Sequence, residues 1–471
     1  GSEVWGFEAW QDSTGQDLNS YSFEPEFLAN DDLHTNDLRL NYVGTPVPEV
    51  TTDIDGEARD ASHPDIGADE MDLGVPMAGE YHIGTSRMFK TFTDAVDSIS
   101  KVGVLDSVTF LVDAGTYNEQ VVISHIPNIA PERPVVFRPA PENTGDVIIE
   151  YAANNADHYV IKLDSARFMT LENMTINALD TAYATAIYMV NGTHDVTVSN
   201  NIINSEKNPQ TSAIKVEDGN NYNILVSGNT ITGGFNGIDF KGEEGNPSPA
   251  NILTGNTLLN QYHSGIFMQY QKWQKIIKNR VSHPGPIENL WIGIDLYDCA
   301  GNFDSSSLIV NNMIDYHATR QSAGLAMFNC RYQNIFHNNI HVHGSSSESR
   351  TLNLQDGCSM IYVHNNVLSN TAGGVLIYAP DLSSKYLDYN VLHATEDRFI
   401  YVGGWIDDLA AWNDAGKGAN SFVMDPLFTS DSDLHTNQLL LFGLGMPMPE
   451  IADDLDGDAR DVENPIIGAD V

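Results

Sequence analysis

The chain has 471 residues, 41% of them hydrophobic, and carries 64 acidic against 23 basic side chains, a formal charge of −41. The apolar content suffices for one large or two ordinary domains. The charge speaks against nucleic acid and anionic membranes as partners, because lysine and arginine must neutralise phosphate there. No apolar run reaches the length of a membrane span, so no membrane insertion is expected. Three cysteines at long spacing make no disulfide framework.

The first element in chain order is a duplicate. Residues 23–70 align without a gap on 424–471 at a constant offset of 401, and 24 of the 48 positions are identical. Among them are Leu33-His34-Thr35-Asn36 against Leu434-His435-Thr436-Asn437, and Arg59 against Arg460. The period is domain-sized, far beyond a solenoid repeat. Residues 1–71 therefore read as the tail of a preceding repeat copy and 72–471 as one complete copy, a slice of a tandem array. Neighbouring copies are the expected partners, and the tail is expected to pack on the start of the copy that follows it.

Each duplicate holds an Asp-x-Asp-Gly, at Asp53 and Asp55 and at Asp454 and Asp456. These aspartates are the metal-ligand candidates, with calcium as the ion, because calcium loops use acidic ligands at alternate positions. Counting back from Gly56 and Gly457, the first ligand would be Thr51 or Ala452 and the twelfth position Ser62 or Glu463. Neither copy is a full loop. The reading preferred is structural, without a cofactor: Arg59 and Arg460 pair with nearby aspartates and pin the segment.

Residues 72–104 read as a linker and a cap. Phe92, Ala95, Val96, Ile99 and Val102 recur at helical spacing and Gly103 is a suitable stop, so the spacing predicts an amphipathic helix. Over 105–404 two series of short strands alternate. One reads "AIYMV", "AIKVE", "GIDFK", "GIFMQ", "GIDLY", "GLAMF", "TLNLQ" and "GVLIY", a small residue followed by inward and outward positions at period two. The other ends on Asn201, Asn229, Asn256, Asn279, Asn312, Asn339, Asn366 and Asn390. This rhythm predicts a parallel β-helix whose coils stack at roughly 4.8 Å. Asparagine suits the corners because it tolerates left-handed backbone, and its amides can stack up a column. Cys299, Cys330 and Cys358 fall in three successive coils and read as a buried stack. Residues 405–471 repeat the N-terminal tail and are expected to fold over the far end. The fold class is all-β, a parallel β-helix with an N-terminal capping helix and an irregular C-terminal capping block; its right-handed coil is what the resemblance below implies.

The stretches "GEYHIGTSRMFKTFTDAVDSI", "VTFLVDAGTYNEQVVI" and "LAAWNDAGKGANSFVMDPLF" resemble the two ends of right-handed β-helix domains in large secreted proteins of the Bacteroidetes type. The resemblance spans 79–471. It implies a secreted or surface protein, often exported by a type IX pathway, and no single activity. The start is also distantly similar to pectate lyases and pectin methylesterases. The catalytic motifs of methylesterases, polygalacturonases and alginate epimerases are not found.

Two outward columns run up the first strand series. One reads Tyr188, Lys215, Asp239, Phe267, Asp295, Ala326, Asn353 and Leu376; the other Val190, Glu217, Lys241, Gln269, Tyr297, Phe328, Gln355 and Tyr378. Rings, amides and charges along an extended face suit a glycan chain. The candidate binding residues are Tyr188, Lys215, Lys241, Phe267, Gln269, Trp273, Tyr297, Gln355 and Tyr378. Asp239 and Asp295 lie two coils, roughly 9–10 Å, apart, near the upper end for an inverting glycosidase. Lys241, Lys272 and Arg280 are the cations a polysaccharide lyase would need. His337, His364 and Asp388 each precede their coil's last asparagine by two, a column read as a stack rather than a metal site. Two classes of function stand: a non-catalytic, glycan-holding module of an extracellular or surface array, and a polysaccharide lyase or hydrolase.

Overall fold

The computed structural model describes residues 6–72, 74–395 and 399–470. Its body is three twelve-stranded sheets wound from one chain. A representative coil contributes Lys275–Ile277 to the first sheet, Arg280–Pro286 to the second and Trp291–Tyr297 to the third. Within the body the pairing between coils is parallel, with register shifts near Met77 and His283, except for one antiparallel pair, Ile400–Tyr401 with Trp405–Ile406, that ends the third sheet. This is the parallel β-helix predicted from the alternation, with the right hand that the resemblance implies.

Inward positions fill a continuous core. In the third sheet Ile238, Ile266, Ile294, Leu325 and Leu352 stack in register and are fully buried. The small residue that opens each of these strands has a steric cause. A Cβ on Gly293 would lie 2.5 Å from the Gly324 carbonyl oxygen and 2.5 Å from Ile314 Cγ2, because the corner turns inward against the second sheet.

The corner between the first and second sheets is an asparagine ladder. Each carboxamide oxygen accepts from the backbone N–H and the side-chain amide of the asparagine in the coil before it, for instance Asn312 from Asn279 at 2.9 and 3.0 Å. The ladder runs Asn201, Asn229, Asn256, Asn279, Asn312, Asn338, Asn366 and Asn390. Asn338 takes the place expected for Asn339. Strand register decides between these neighbours: Phe336 pairs with His364, which puts Asn338 opposite Asn366. The same register breaks the expected histidine column. His364 does lie opposite Asp388, but His337 falls one residue out of line. It bridges the Gly468 carbonyl and the Asn365 side chain instead.

The three cysteines are buried as expected. Burial pushes the Cys330 thiol well up, and Cys358 is raised by its hydrogen bond to Cys330 and by burial.

Helix α2 (Phe92–Val102) covers the N-terminal end, after α1 (Phe7–Thr14) in the duplicated tail. Thr91 caps α2 by accepting from the Asp94 N–H, and Phe92, Ala95, Val96 and Ile99 are buried. Gly103 stops it at φ 71°, where a Cβ would meet the Pro127 carbonyl at 2.8 Å. The N-terminal tail touches this end at two places: Asn128 donates to the Leu38 carbonyl at 3.1 Å, and Asn41 to the Gly74 carbonyl at 3.3 Å.

The C-terminal block departs from expectation by dividing. Only its start closes the far end, through α3 (Leu409–Asp414), whose Trp412 enters the main core. Residues 424–470 fold back along the outside of the asparagine corner. Leu434, Leu455 and Ala469 pack on Met313, and Leu441, Ile466 and Ile467 on Val367 and Val391. Outward asparagines beside the ladder receive the block: Asn339 donates to the Leu434 carbonyl, and Asn365 to that of Met446, each at 2.8 Å. Such corners expose strand-end polar groups, and covering them satisfies both partners.

Candidate functional site

The outer face of the third sheet carries most of the predicted site residues. Tyr188, Lys215, Asp239, Phe267, Asp295, Ala326 and Asn353 occupy one column in strand register, as expected. Leu376 does not follow them. Tyr378 pairs with Asn353 and Leu376 points into the core, because the strand beginning at Val375 pairs with Arg350 and shifts the register. Beside this column Lys241, Gln269, Tyr297 and Phe328 form the second.

Alternation puts residues i and i+2 on the same side, so charges two apart meet. Lys162 and Asp164 pair at 2.8 Å and Lys215 and Glu217 at 2.5 Å; Lys241 lies 3.9 Å from Asp239. Tyr188 donates to Glu217 at 3.0 Å. Burial works against ionisation of Glu217, but Lys215 outweighs it and holds the carboxyl below its ordinary range. Further along, Lys241 lies over the Phe267 ring at 5.7 Å, and Phe267, Tyr297 and Phe328 follow one another at 5.7 and 5.9 Å. At the far end Arg350 lies over Tyr378 at 3.6 Å, Tyr378 stacks on Tyr401 at 5.0 Å, and Trp405 stands edge-on to Tyr401. A cavity of about 260 Å³ lined by Gln321, Glu348, Arg350, Tyr378 and Trp405 opens there. Arg350, Tyr401 and Trp405 were not singled out from the sequence; Arg350 sits one residue ahead of the alternating motif that was read.

The two candidate acids are both buried, and the Phe267 position separates them in the column. Asp239 accepts from Ser212 at 2.8 Å and Asn236 at 3.0 Å; burial raises its carboxyl and Lys241 opposes the rise. Asp295 has an oxygen without a hydrogen-bond partner, and burial alone pushes its carboxyl up to about 7. The pair therefore does not flank an open space where a sugar and a water could sit, as an inverting mechanism requires.

Gln355 continues the second column beyond Phe328, as expected, its N–H donating to the Met327 carbonyl at 2.9 Å. Two other predicted residues lie elsewhere. Arg280 is on the second sheet, and its guanidinium reaches Asp456 of the folded-back block at 2.9 Å. Trp273 stands at a left-handed turn position with Lys272 over its ring at 4.1 Å, off the third-sheet face.

The aspartates proposed for calcium divide into two kinds. Asp53 accepts from the N–H groups of Asp55, Glu57 and Glu70. Asp454 accepts from those of Asp456, Gly457 and Asp458, so both close their own loops. Asp55 and Asp456 instead contact the imidazoles of His34 and His435, each at 2.7 Å. His34, held also by Asp32, is raised to about 9, a cation at neutral pH. The arginines hold the segment as expected: Arg59 donates to the Asp65 carbonyl at 3.4 Å, Arg460 donates to that of Asp453 at 3.2 Å, and Asp454 attracts the Arg460 charge. Arg59 pairs with Glu70 and the Gly67 carbonyl, and Arg460 with Asn311 and the Gly468 carbonyl.

Against known proteins, the family model described as "Periplasmic copper-binding protein (NosD)" matches residues 142–356, less than half of the chain. No curated protein matches in sequence. Among solved structures, the complex of XylC with xylose is similar at TM-score 0.52 and 10% identity, over 83% of this chain and 98% of that one. Pectate lyase Pel9A is similar at TM-score 0.49 and 13% identity, over 84% and 97%. Identities this low speak to fold alone.

Among the described residues within 142–356 no copper site is shown. Among the described residues three groups of His, Asp and Glu could converge on an ion, and none lies wholly inside that span. Metal ligands must be free and deprotonated. There the cysteine stack is buried, with the Cys330 thiol pushed well up, and His283, His337 and His341 each have both ring nitrogens engaged. By its three parallel sheets and by its likeness to the XylC structure, the chain has the right-handed parallel β-helix fold.

Proposed function

We propose that this chain is a non-catalytic structural segment of a repeat-built extracellular or surface protein, and that it holds glycan chains along the outer face of its third sheet. The observation that carries the reading is the character of that face. Rings at 5.7 and 5.9 Å spacing and ion-paired charges form an extended ladder, while the only acid pair considered for catalysis is buried and split by Phe267. Aromatic faces cover sugar C–H surfaces, and neighbouring amides and carboxylates take hydroxyls. Of the three cations a lyase could use, Lys241, Lys272 and Arg280, the last is committed to Asp456.

The test is a panel of neutral and acidic polysaccharides scored three ways: reducing ends, absorbance at 235 nm for unsaturated uronates, and binding. Binding without turnover, weakened by Tyr297→Ala and Phe267→Ala, is the expected result. Turnover of any glycan overturns it.

A second reading, a polysaccharide-active enzyme, has one observation in its favour. A carboxyl raised to about 7 within an aromatic face is the state a general acid needs at neutral pH. On that reading Asp295→Asn abolishes turnover and spares binding.

A further inference from the structure

The two copies of the end block fold alike inside and differ in what they touch. Ile54 N–H donates to the Ala68 carbonyl and Leu455 N–H to that of Ala469, both at 2.9 Å. Gly44 bonds to the Pro64 carbonyl as Gly445 does to that of Pro465. Arg59 and Arg460 hold the same carbonyl, of Gly67 and Gly468. Burial does not follow this match. Leu434 is 1% exposed and its counterpart Leu33 67%; Leu455 is 8% and Ile54 69%; Met448 is 4% and Val47 53%.

The C-terminal copy loses this exposure to the β-helix flank. Leu434 and Leu455 lie on Met313, and Met448 on Val310 and Phe336. Charged and amide contacts surround the patch: Arg280 with Asp456, Lys278 with Asp453, and Asn311 with Arg460. The N-terminal copy keeps the acid and the arginine of this set, as Asp55 and Arg59, around an uncovered apolar patch. Its own contacts to the following coils run through Leu38 and Asn41, away from that patch.

We propose that the face formed by Leu33, Val47 and Ile54 is a docking surface for the flank of another β-helix of this repeat type, joined upstream in the same polypeptide. The flank it fits carries a basic side chain to meet Asp55, as Arg280 meets Asp456, with an apolar side chain and an outward asparagine on the next coil. The inference rests on the tandem-repeat reading and makes the end block an adhesive seam along its own coils. Exposed apolar side chains clustered and edged by charge are the character of an interaction site.

The test compares two chains. One is the 471-residue chain; the other is the same chain with residues 72–404 placed ahead of residue 1, which supplies the flank. Ile54→Cys is introduced in each and its alkylation rate measured; the three native cysteines are buried and give a low background. Leu455→Cys in the 471-residue chain serves as the docked reference. The expected result is fast labelling of Ile54→Cys in the shorter chain, and labelling at least tenfold slower, close to the reference, in the longer one. Replacing the added flank's copy of Arg280 with Glu should restore part of the rate. Equal labelling of Ile54→Cys in the two chains overturns the proposal, as does a Leu455→Cys reference that labels as fast as Ile54→Cys. The glycan screen reads the third sheet and is unaffected by either outcome, so the two readings fail separately.

Discussion

Replacing Asn312 by alanine tests whether the corner ladder is a principal source of stability in the coils. The Asn312 side chain is fully buried. Its amide nitrogen donates to the carbonyls of Ile276 at 2.9 Å and Val310 at 3.1 Å, and to Asn338 Oδ1 at 2.9 Å. Its oxygen accepts from the Asn279 N–H at 2.9 Å and from the Asn279 amide at 3.0 Å. Alanine leaves the Asn279 N–H without this acceptor in a dry corner, which costs about 1–3 kcal/mol. The remaining partners keep other bonds: Asn279 Nδ2 still reaches Leu253 and Ile277, and Asn338 Oδ1 still accepts from the Asn312 N–H. Their loss adds roughly 2 kcal/mol in all. The expected total is ~3–5 kcal/mol, felt mainly in the coils on either side because a solenoid couples nearest neighbours. Native-state hydrogen exchange of the strands Lys275–Ile277 and Ser307–Val310 reads it locally. The control is Asn204→Ala, which breaks one outward amide contact to Asn177 and should cost ~0.5–1 kcal/mol. If the two substitutions cost the same, the ladder does not act as argued.

Three further outcomes follow from the charged groups. Asp295 keeps its proton in the folded chain up to about pH 7, whereas the unfolded chain loses it near pH 4. Stability therefore falls as pH rises across that window and levels off above it. Asp295→Asn should gain up to ~4 kcal/mol at pH 8 and almost nothing at pH 4 by urea unfolding, and equal gains at both would refute the assignment. His337 and His341 behave oppositely: burial lowers them to about 3 and about 4, so they contribute stability that is present above pH 6.5 and lost as pH falls through those values. Since His337 bonds to Gly468 and His341 to Asp431, exchange in 424–470 should quicken between pH 6.5 and 4, after correction for intrinsic rates, before the coils open. Because Asp53 and Asp454 are satisfied by their own loop N–H groups, chelation should leave the melting temperature unchanged, while Asp454→Ala lowers it. A fall on chelation that calcium restores would assign those aspartates to an ion.

The coils were legible because their physics is local and repeated. Alternation at period two, a small residue where Gly293 meets Gly324, and asparagine at each corner recur within about thirty residues, and each recurrence constrains the next. What escaped was anything decided by a partner far along the chain. Two adjacent asparagines, 338 and 339, look equivalent until pairing of Phe336 with His364 chooses between them. Tyr378 changed columns because Val375 pairs with Arg350 and resets the strand. Arg280 reads as a free cation in a basic stretch, but its partner Asp456 lies 176 residues away.

The end block shows the same limit most sharply. Leu33 and Leu434 sit in the identical run Leu-His-Thr-Asn, and the two blocks share their internal hydrogen bonds, yet one leucine is buried and the other exposed. No local rule could have separated them, because burial there belongs to the pair of surfaces and not to the segment. The same reasoning accounts for the histidines. His435 is raised only in part, because burial against the flank opposes the pull of Asp433 and Asp456, whereas the more exposed His34 is raised to about 9 by Asp32 and Asp55. On the docking proposal, a block that folds by its own bonds and is completed by a β-helix flank would let copies of this repeat be closed one after another along a chain.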